Sequence, residues 1–312
     1  MQKHVTVGVD GSPESRAAAR WAAQEAVLRQ VPLRLVHAVD WPLDPVFPGL
    51  GRQDVDRWAD QALTEAAQEL HGRHPNLEIT TRCLTARPAA ALAAEAADAG
   101  LLVLGSRGLG GLVGFIVGSV ALSTVVATDT PVVLLRVADD PAGPGTGSSG
   151  EVVVGVDIHE ACDRVLTFAF EEAARRDCPL RAVHGWKMPP AYSYVPFFDP
   201  DNERDIGRSV THMVDDMLLP WRHKFPHVNV SHSVFMGSAG DHLVRAAQGA
   251  QLVVVGRHVR RSALGAHLGS VAHAVLHHAA APVAVIAHDG RSATGTGRPV
   301  EEEDHEAPAH HR

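Results

Sequence analysis

Several things are scarce or missing in this chain, and each absence excludes a class of protein. Cysteine occurs three times in 312 residues, at Cys83, Cys162 and Cys178. That is too few and too scattered for a disulfide framework or a zinc knuckle, and the three read as reduced thiols of a cytosolic protein. Net positive charge is absent: the formal charge is −8, which argues against a nucleic-acid binder that works by neutralising phosphates. Part of the acid sits in the run Glu301, Glu302, Glu303 and Asp304, and reads as solvation rather than a binding face. No apolar stretch approaches the roughly 20 residues a spanning helix needs. Met1 to Val5 carries no charged-then-apolar leader, so neither membrane insertion nor export is expected. No Gly-x-x-x-x-Gly-Lys-Ser/Thr occurs, which removes P-loop chemistry.

What is present is a repeat. Val7-Gly8-Val9-Asp10 recurs as Val154-Gly155-Val156-Asp157, Pro32-Leu33 as Pro179-Leu180, and Val36-His37 as Val183-His184, all at an offset of 147. Gly105 then matches Gly256, Gly118-Ser119-Val120 matches Gly269-Ser270-Val271, and Pro131-Val132 matches Pro282-Val283, at an offset of 151. The insertion between the two offsets falls most simply in the Pro-rich loop Met188 to Asp201. With 45% apolar and 21% charged residues, each half can bury its own core. The predicted organisation is a domain at 1–138, a Gly/Pro/Ser linker at 139–150, a second domain at 151–288 and a disordered tail at 289–312.

Within one copy, His4 to Val9 reads as a buried strand. Ser12 offers an N-cap with Pro13 at the first helical position, and an Ala-rich helix follows to about Arg29. Strands at Leu33–Val39, Leu77–Leu84, Leu101–Leu104 and Val132–Val137 alternate with helices at about Asp54–Gly72, Pro88–Ala97 and Ser119–Ala127. This pattern predicts an α/β fold, a parallel sheet with helices on both faces. Ligands of such sheets bind beyond the carboxyl ends of strands where the strand order reverses. If the first and fourth strands are neighbours, that point carries Asp10 and Gly105. After the fourth strand comes Gly105-Ser106-Arg107-Gly108, then nine residues, then Gly118-Ser119 opening a helix. Glycines that take positive φ can turn their N–H groups inward as a nest for anionic oxygens, and the helix start adds partial positive charge. Arg107 either screens phosphate charge or faces solvent. Asp10 is either a ligand or a turn aspartate, and the ligand role is favoured because Ser12 is the better cap.

These residues resemble the universal stress protein family, whose ATP-binding members carry Gly-x2-Gly-x9-Gly-Ser/Thr, here Gly105, Gly108, Gly118 and Ser119. The likeness extends to Val7–Ser12, Leu35–Ala38 and Pro131–Leu135 and spans nearly all of both copies. It implies two tandem, doubly wound, five-stranded parallel-sheet domains, Rossmann-like and of the adenine nucleotide alpha hydrolase type, with the first and fourth strands adjacent. It also implies ATP as ligand, with or without Mg2+, held by Asp10, Gly11 and Ser12 on the ribose side. The backbone of Ala38 would meet the adenine edge, and Gly105, Arg107, Gly108, Gly118, Ser119 and Val120 would surround the phosphates. Family domains associate through their last strand, so Val132–Val137 and Val283–Ala287 are expected to pair the two halves or two chains of a homodimer.

The second copy keeps Asp157, Gly256, Gly269 and Ser270 as weaker candidates but has Val259 in place of the second motif glycine. It also gains Arg257, Arg260 and Arg261. A β-branched residue in a left-handed conformation costs on the order of 1–2 kcal/mol, so this loop should take another shape. It is either a degenerate copy or a pocket for another anion, and degeneracy is the favoured reading. Among twenty histidines, His273 and His277 have the i, i+4 spacing of metal ligands. With no zincin-like Glu between them, they are read as helix-end histidines and no metal site is expected. Tyr192, Tyr194, Phe197 and Phe198 read as a lid or an interdomain contact. With no positioned base or metal-carboxylate pair beside the phosphates, the expected function is a nucleotide-dependent sensor in the stress response. The alternatives are a slow ATPase and a nucleotide-free scaffold.

Overall fold

The structure is a computed structural model that describes residues 3–40, 51–106, 117–136, 150–160, 162–188, 200–259 and 268–289, with backbone alone at 200–203. Residues 139–149 of the proposed linker, residues 290–312 of the tail and the whole aromatic stretch 192–198 lie outside these residues. The first half runs β1 (Val5–Gly8), α1 (Pro13–Arg29), β2 (Leu33–Val39), α2 (Arg52–Arg73), β3 (Ile79–Thr85), α3 (Pro88–Asp98), β4 (Leu101–Gly105), α4 (Ser119–Ala127), β5 (Val132–Leu135). The second repeats it as β6 (Val152–Gly155), α5 (Asp163–Arg176), β7 (Leu180–Trp186), α6 (Pro200–Lys224), β8 (Val230–Met236), α7 (Ala239–Ala246), β9 (Leu252–His258), α8 (Ser270–His278), β10 (Val283–His288). Buried Ala59 and Leu63 of α2 correspond to Val210 and Val214 of α6 at the offset of 151. The insertion therefore lies between Trp186 and Val210, as the Pro-rich loop suggested.

The ten strands among the described residues form one sheet in the order β3-β2-β1-β4-β5-β10-β9-β6-β7-β8. Each half is parallel throughout, and the halves meet where β5 and β10 pair antiparallel, Val283 opposite Leu134 and Val285 opposite Val132. The sequence accounts for this junction. Val132–Leu135 and Val283–His288 are buried along their whole length, and an apolar strand edge left bare is a template for aggregation. On the outer edges β3 exposes Thr80, Thr81 and Arg82, while β8 carries exposed Ser231 and half-buried His232 and Ser233 and ends on exposed Phe235 and Met236. Intrachain pairing thus covers both terminal strands, which settles the expectation of half-to-half or chain-to-chain contact in favour of the halves.

Joining the sheets also joins the cores, in place of the separate cores read from composition. One face carries α1, α2, α5 and α6 over a cluster that includes Val5, Val7, Leu63, Val154, Phe170 and Ile286. The other carries α3, α4, α7 and α8 over Leu92, Leu104, Val125, Leu243, Val255 and Val285. On the first face α1 and α5 meet through a reciprocal set of charges. Arg29 bonds Glu25 of its own helix and Glu172 of the other, while Arg176 bonds its own Glu172 and, at 2.5 Å, Glu25. Arg175 adds a further pair to Glu172, and Arg29 and Arg176 lie over the rings of Phe168 and Trp21.

Helix α1 starts where its cap dictates. Ser12 Oγ accepts from Ser15 N at 3.1 Å and donates to Asp10 Oδ1 at 2.5 Å. Replacing Ser12 by Ala should lower unfolding free energy by about 1 kcal/mol; an unchanged urea midpoint would show that the cap contributes nothing.

Candidate functional site

The strand order puts β1 between β2 and β4, with Val5–Val7 in register with Leu101–Val103. After β1 the chain turns into α1 on one face of the sheet, while α4, the helix that follows β4, packs on the other. By the switch-point rule, such diverging connections place the crevice of an open parallel sheet at the carboxyl ends of β1 and β4.

The two ends meet at the first turn of α1. Asp10 N–H donates to Ser15 Oγ at 3.3 Å, and Asp10 Oδ1 accepts from Ser12 N at 3.0 Å as well as from its hydroxyl. Asp10 therefore holds the turn. Gly11 has φ +79, the left-handed conformation that favours glycine, and lies beside Trp58 of α2. A Cβ on Gly105 would stand 2.9 Å from the backbone of Glu14 and 3.0 Å from Ser15 N, so glycine there lets the β4 end touch the α1 turn. Ala38 is half-buried on β2, opposite Leu84 of β3.

The far side of the crevice is the start of α4. Gly118 N–H donates to Ser106 O at 2.7 Å, which pins the helix start to the β4 end, and Ser106 N–H donates to Leu135 O. Gly118 is the N-cap residue with φ −66 and no side-chain cap bond. The nest argument is thereby corrected on two counts: Gly105 and Gly118 do not take positive φ, and the amides of 106 and 118 are committed within the protein. The donors this side offers are the first-turn amides of α4, which intrahelical bonding leaves unsatisfied, at exposed Ser119 and Val120. Arg107 and Gly108 lie outside the described residues.

Sequence reasoning missed Trp58, 42% exposed and edge-on to the His37 ring at 5.1 Å; a tryptophan amid the polar residues of α2 was the available signal. His37, which the repeat preserves, is structural: its Nδ1 bonds Val9 O at 2.7 Å, and His184 does the same to Val156 O at 2.9 Å. A cavity of about 590 Å³ lined by Ala26, Gln30, Pro32, His74 and Glu78 opens at the amino ends of β2 and β3. That is the end of the sheet opposite to the crevice.

The second half differs at each matching point. Asp157 is exposed and accepts from His159 N at 2.9 Å. Cys162 Sγ, replacing Ser15, donates to Asp157 O, and burial pushes its thiol up to about 11. With no proline at the start, α5 begins at Asp163, three residues later than the repeat would place it, and Glu160 is left in the connecting turn. Strand β9 continues past Gly256 through Arg257 and His258 along β10, and Val259 N–H still bonds His288 O at 3.0 Å. Arg257, His258 and Val259 thus stay extended, and the rest of the loop, on which the expectation of another shape bears, lies outside the described residues. Arg257 is no phosphate ligand, because it is buried and donates to Thr128 O of the first half at 2.8 Å. Gly269 and Ser270 are exposed at the start of α8, which like that of α4 has no side-chain cap. Arg260 and Arg261 lie outside the described residues.

The extended β9 brings together three donors that the sequence does not suggest. His258 Nε2 lies 2.5 Å from Glu160 Oε1, and His288 Nε2 lies 3.8 Å from Glu160 Oε2. Burial first, then the nearby His258, hold His288 below the usual histidine range. The rings of His273 and His277 on α8 lie tilted with centres 4.3 Å apart, and no third donor joins them in a cluster among the described residues. No helix among the described residues is long and apolar enough to cross a membrane.

Comparisons with known proteins bear on the fold and the family. The model of the universal stress protein family matches residues 1–136 and again 149–287; the chain belongs to this family, with its domain in tandem. A universal stress protein of Mycobacterium tuberculosis is 34% identical over 294 residues, covering 91% of this chain and 97% of that one. The crystal structure of a universal stress protein from Archaeoglobus fulgidus shares the fold with a TM-score of 0.66 at 14% identity, over 92% of this chain and 99% of that one. Another from Archaeoglobus fulgidus, solved in complex with dAMP, is 26% identical and covers 43% of this chain and 97% of that one, with a TM-score of 0.34. That ligand is a fact about that protein.

Proposed function

We propose that the first half binds one ATP, with or without Mg2+, in the crevice between β1 and β4, and that the nucleotide biases the conformation or associations of a stress-response regulator in the cytoplasm. The observation that carries this is the uncapped start of α4, with exposed Ser119 and Val120, pinned by Gly118 to the end of β4. An uncapped helix start offers amides and partial positive charge to an anion without a lysine. In this reading Ser119 and Val120, with Gly105, Arg107, Gly108 and Gly118, face the phosphates. Asp10, Gly11 and Ser12 border the ribose, and the backbone of Ala38 meets the adenine. The second half, its loop redirected along β10 and its Arg257 turned to Thr128, takes no nucleotide.

Calorimetry of ATP into the full chain should give one nucleotide per chain. No affinity at millimolar ATP, or two equivalents bound, would overturn the proposal. A turnover assay separates the regulator from a slow ATPase: hydrolysis well above background that disappears in Asp10→Ala would make the protein an enzyme.

A further inference from the structure

We propose that Glu160, His258 and His288 form a zinc site in the second half, at the place where the first half has its nucleotide crevice. Each donor sits at the carboxyl end of a different strand. Glu160 is in the turn after β6, His258 is the last residue of β9 and His288 the last of β10, and these three strands are consecutive in the sheet. His258 and His288 are register partners on parallel strands, so both rings leave the same face. Their ring centres are 4.5 Å apart.

The donor chemistry is that of a zinc ion held by two imidazoles and a carboxylate with a position left for water. The candidate donor atoms all lie within 4.8 Å of one another. Zinc bonds of about 2.0–2.1 Å require donor separations of roughly 3.3 Å in a tetrahedral site. The contacts of Glu160 with the two rings, 2.5 Å through Oε1 and 3.8 Å through Oε2, bracket that spacing.

His288 supplies the independent sign. It is 5% exposed and its Nδ1 has no hydrogen-bond partner, while Nε2 faces Glu160 beyond hydrogen-bond reach. A buried imidazole so poorly satisfied is costly; a metal on Nε2 would give that nitrogen the partner it lacks and leave Nδ1 unchanged. Gly256 makes the room: a Cβ there would lie 2.7 Å from His288 Nε2. Glu160 and His258 are half-exposed, which gives the ion an entry path. The nearby cations are directed elsewhere, Arg257 to Thr128 O and Arg164 to Asp129 O. The first half cannot form such a site, since Pro13, Arg107 and Val137 occupy the matching positions.

The test is titration of the chelator-stripped full chain with zinc, followed by cobalt as a spectroscopic stand-in. One tight zinc equivalent is expected, together with the intense visible bands of four-coordinate cobalt. His258→Ala and Glu160→Gln should each weaken that equivalent on the order of a hundredfold while leaving the far-ultraviolet circular dichroism unchanged. A full-length variant with His305, His310 and His311 all changed to Gln should keep it. Failure to bind a tight equivalent, retention of it in Glu160→Gln, or its loss in the tail variant would each overturn the proposal.

Discussion

Arg176→Met should lower the unfolding free energy of the whole chain by about 3–5 kcal/mol, because it leaves two buried carboxylates with too little positive charge between them. Glu25 and Glu172 are each 1% exposed, and Arg176 bonds both. Burial opposes charge on Arg176, yet Glu25 and then Glu172 raise its guanidinium above the ordinary arginine range. Methionine keeps an apolar side chain beside Trp21 and removes the charge together with the guanidinium bonds to Glu25 and Glu172. Glu172→Gln should cost less, about 1–2 kcal/mol, since burial and then the charge of Glu25 already push Glu172 toward its neutral form.

The pH dependence gives a second reading of the same variant. In the parent chain burial disfavours the Glu25 carboxylate, but Arg176 and Arg29 outweigh it and hold Glu25 below its ordinary 4.5. That contribution is complete above 4.5 and fades as pH falls through the folded value. In Arg176→Met the carboxylates lose a counter-ion and their folded values rise, so the deficit should be greatest near neutrality and shrink on acidification. Urea unfolding of both chains at neutral and mildly acidic pH measures this. A deficit below about 1 kcal/mol at neutrality would show that the remaining arginines suffice.

Gly118→Val is the complementary case, with a large effect on binding and little on folding. Gly118 sits at φ −66 and ψ 150, extended backbone that valine adopts without strain, so the thermal midpoint should move little. A branched side chain at the mouth of α4 would stand between the first-turn amides and a triphosphate, and ATP affinity should fall at least tenfold, about 1.4 kcal/mol. Unchanged affinity by calorimetry would place the phosphates elsewhere.

Local chemistry and the repeat made much of this legible. Ser12 and Pro13 placed the start of α1, the bounds of β2 and α4 follow from short apolar runs and caps, and the doubling located the insertion. The apolar character of Val132–Leu135 and Val283–Ala287 foretold that these edges must be covered. The repeat also held an unread signal: Glu25 and Arg29 recur as Glu172 and Arg176 at the offset of 147, and charged residues so preserved on helices with buried faces point to a shared interface.

The donor set was hidden for a physical reason. Glu160 is separated from His258 by 98 positions and His258 from His288 by 30, and only the order β10-β9-β6 makes them neighbours. Glu160 reaches the cluster because α5 starts late, a consequence of losing the proline that fixes α1. Glycine in the loop after β4 suggests positive φ, whereas at Gly105 it serves close approach to Glu14 and Ser15, and at Gly118 it leaves the helix uncapped.

The antiparallel seam between β5 and β10 has a consequence for anything that reads this protein. Strands of the two halves run in opposite directions, so their carboxyl ends emerge on opposite rims of one stiff slab. A ligand on one rim and an ion on the other would be presented to different surroundings, and a single flat partner could sense only one of them at a time.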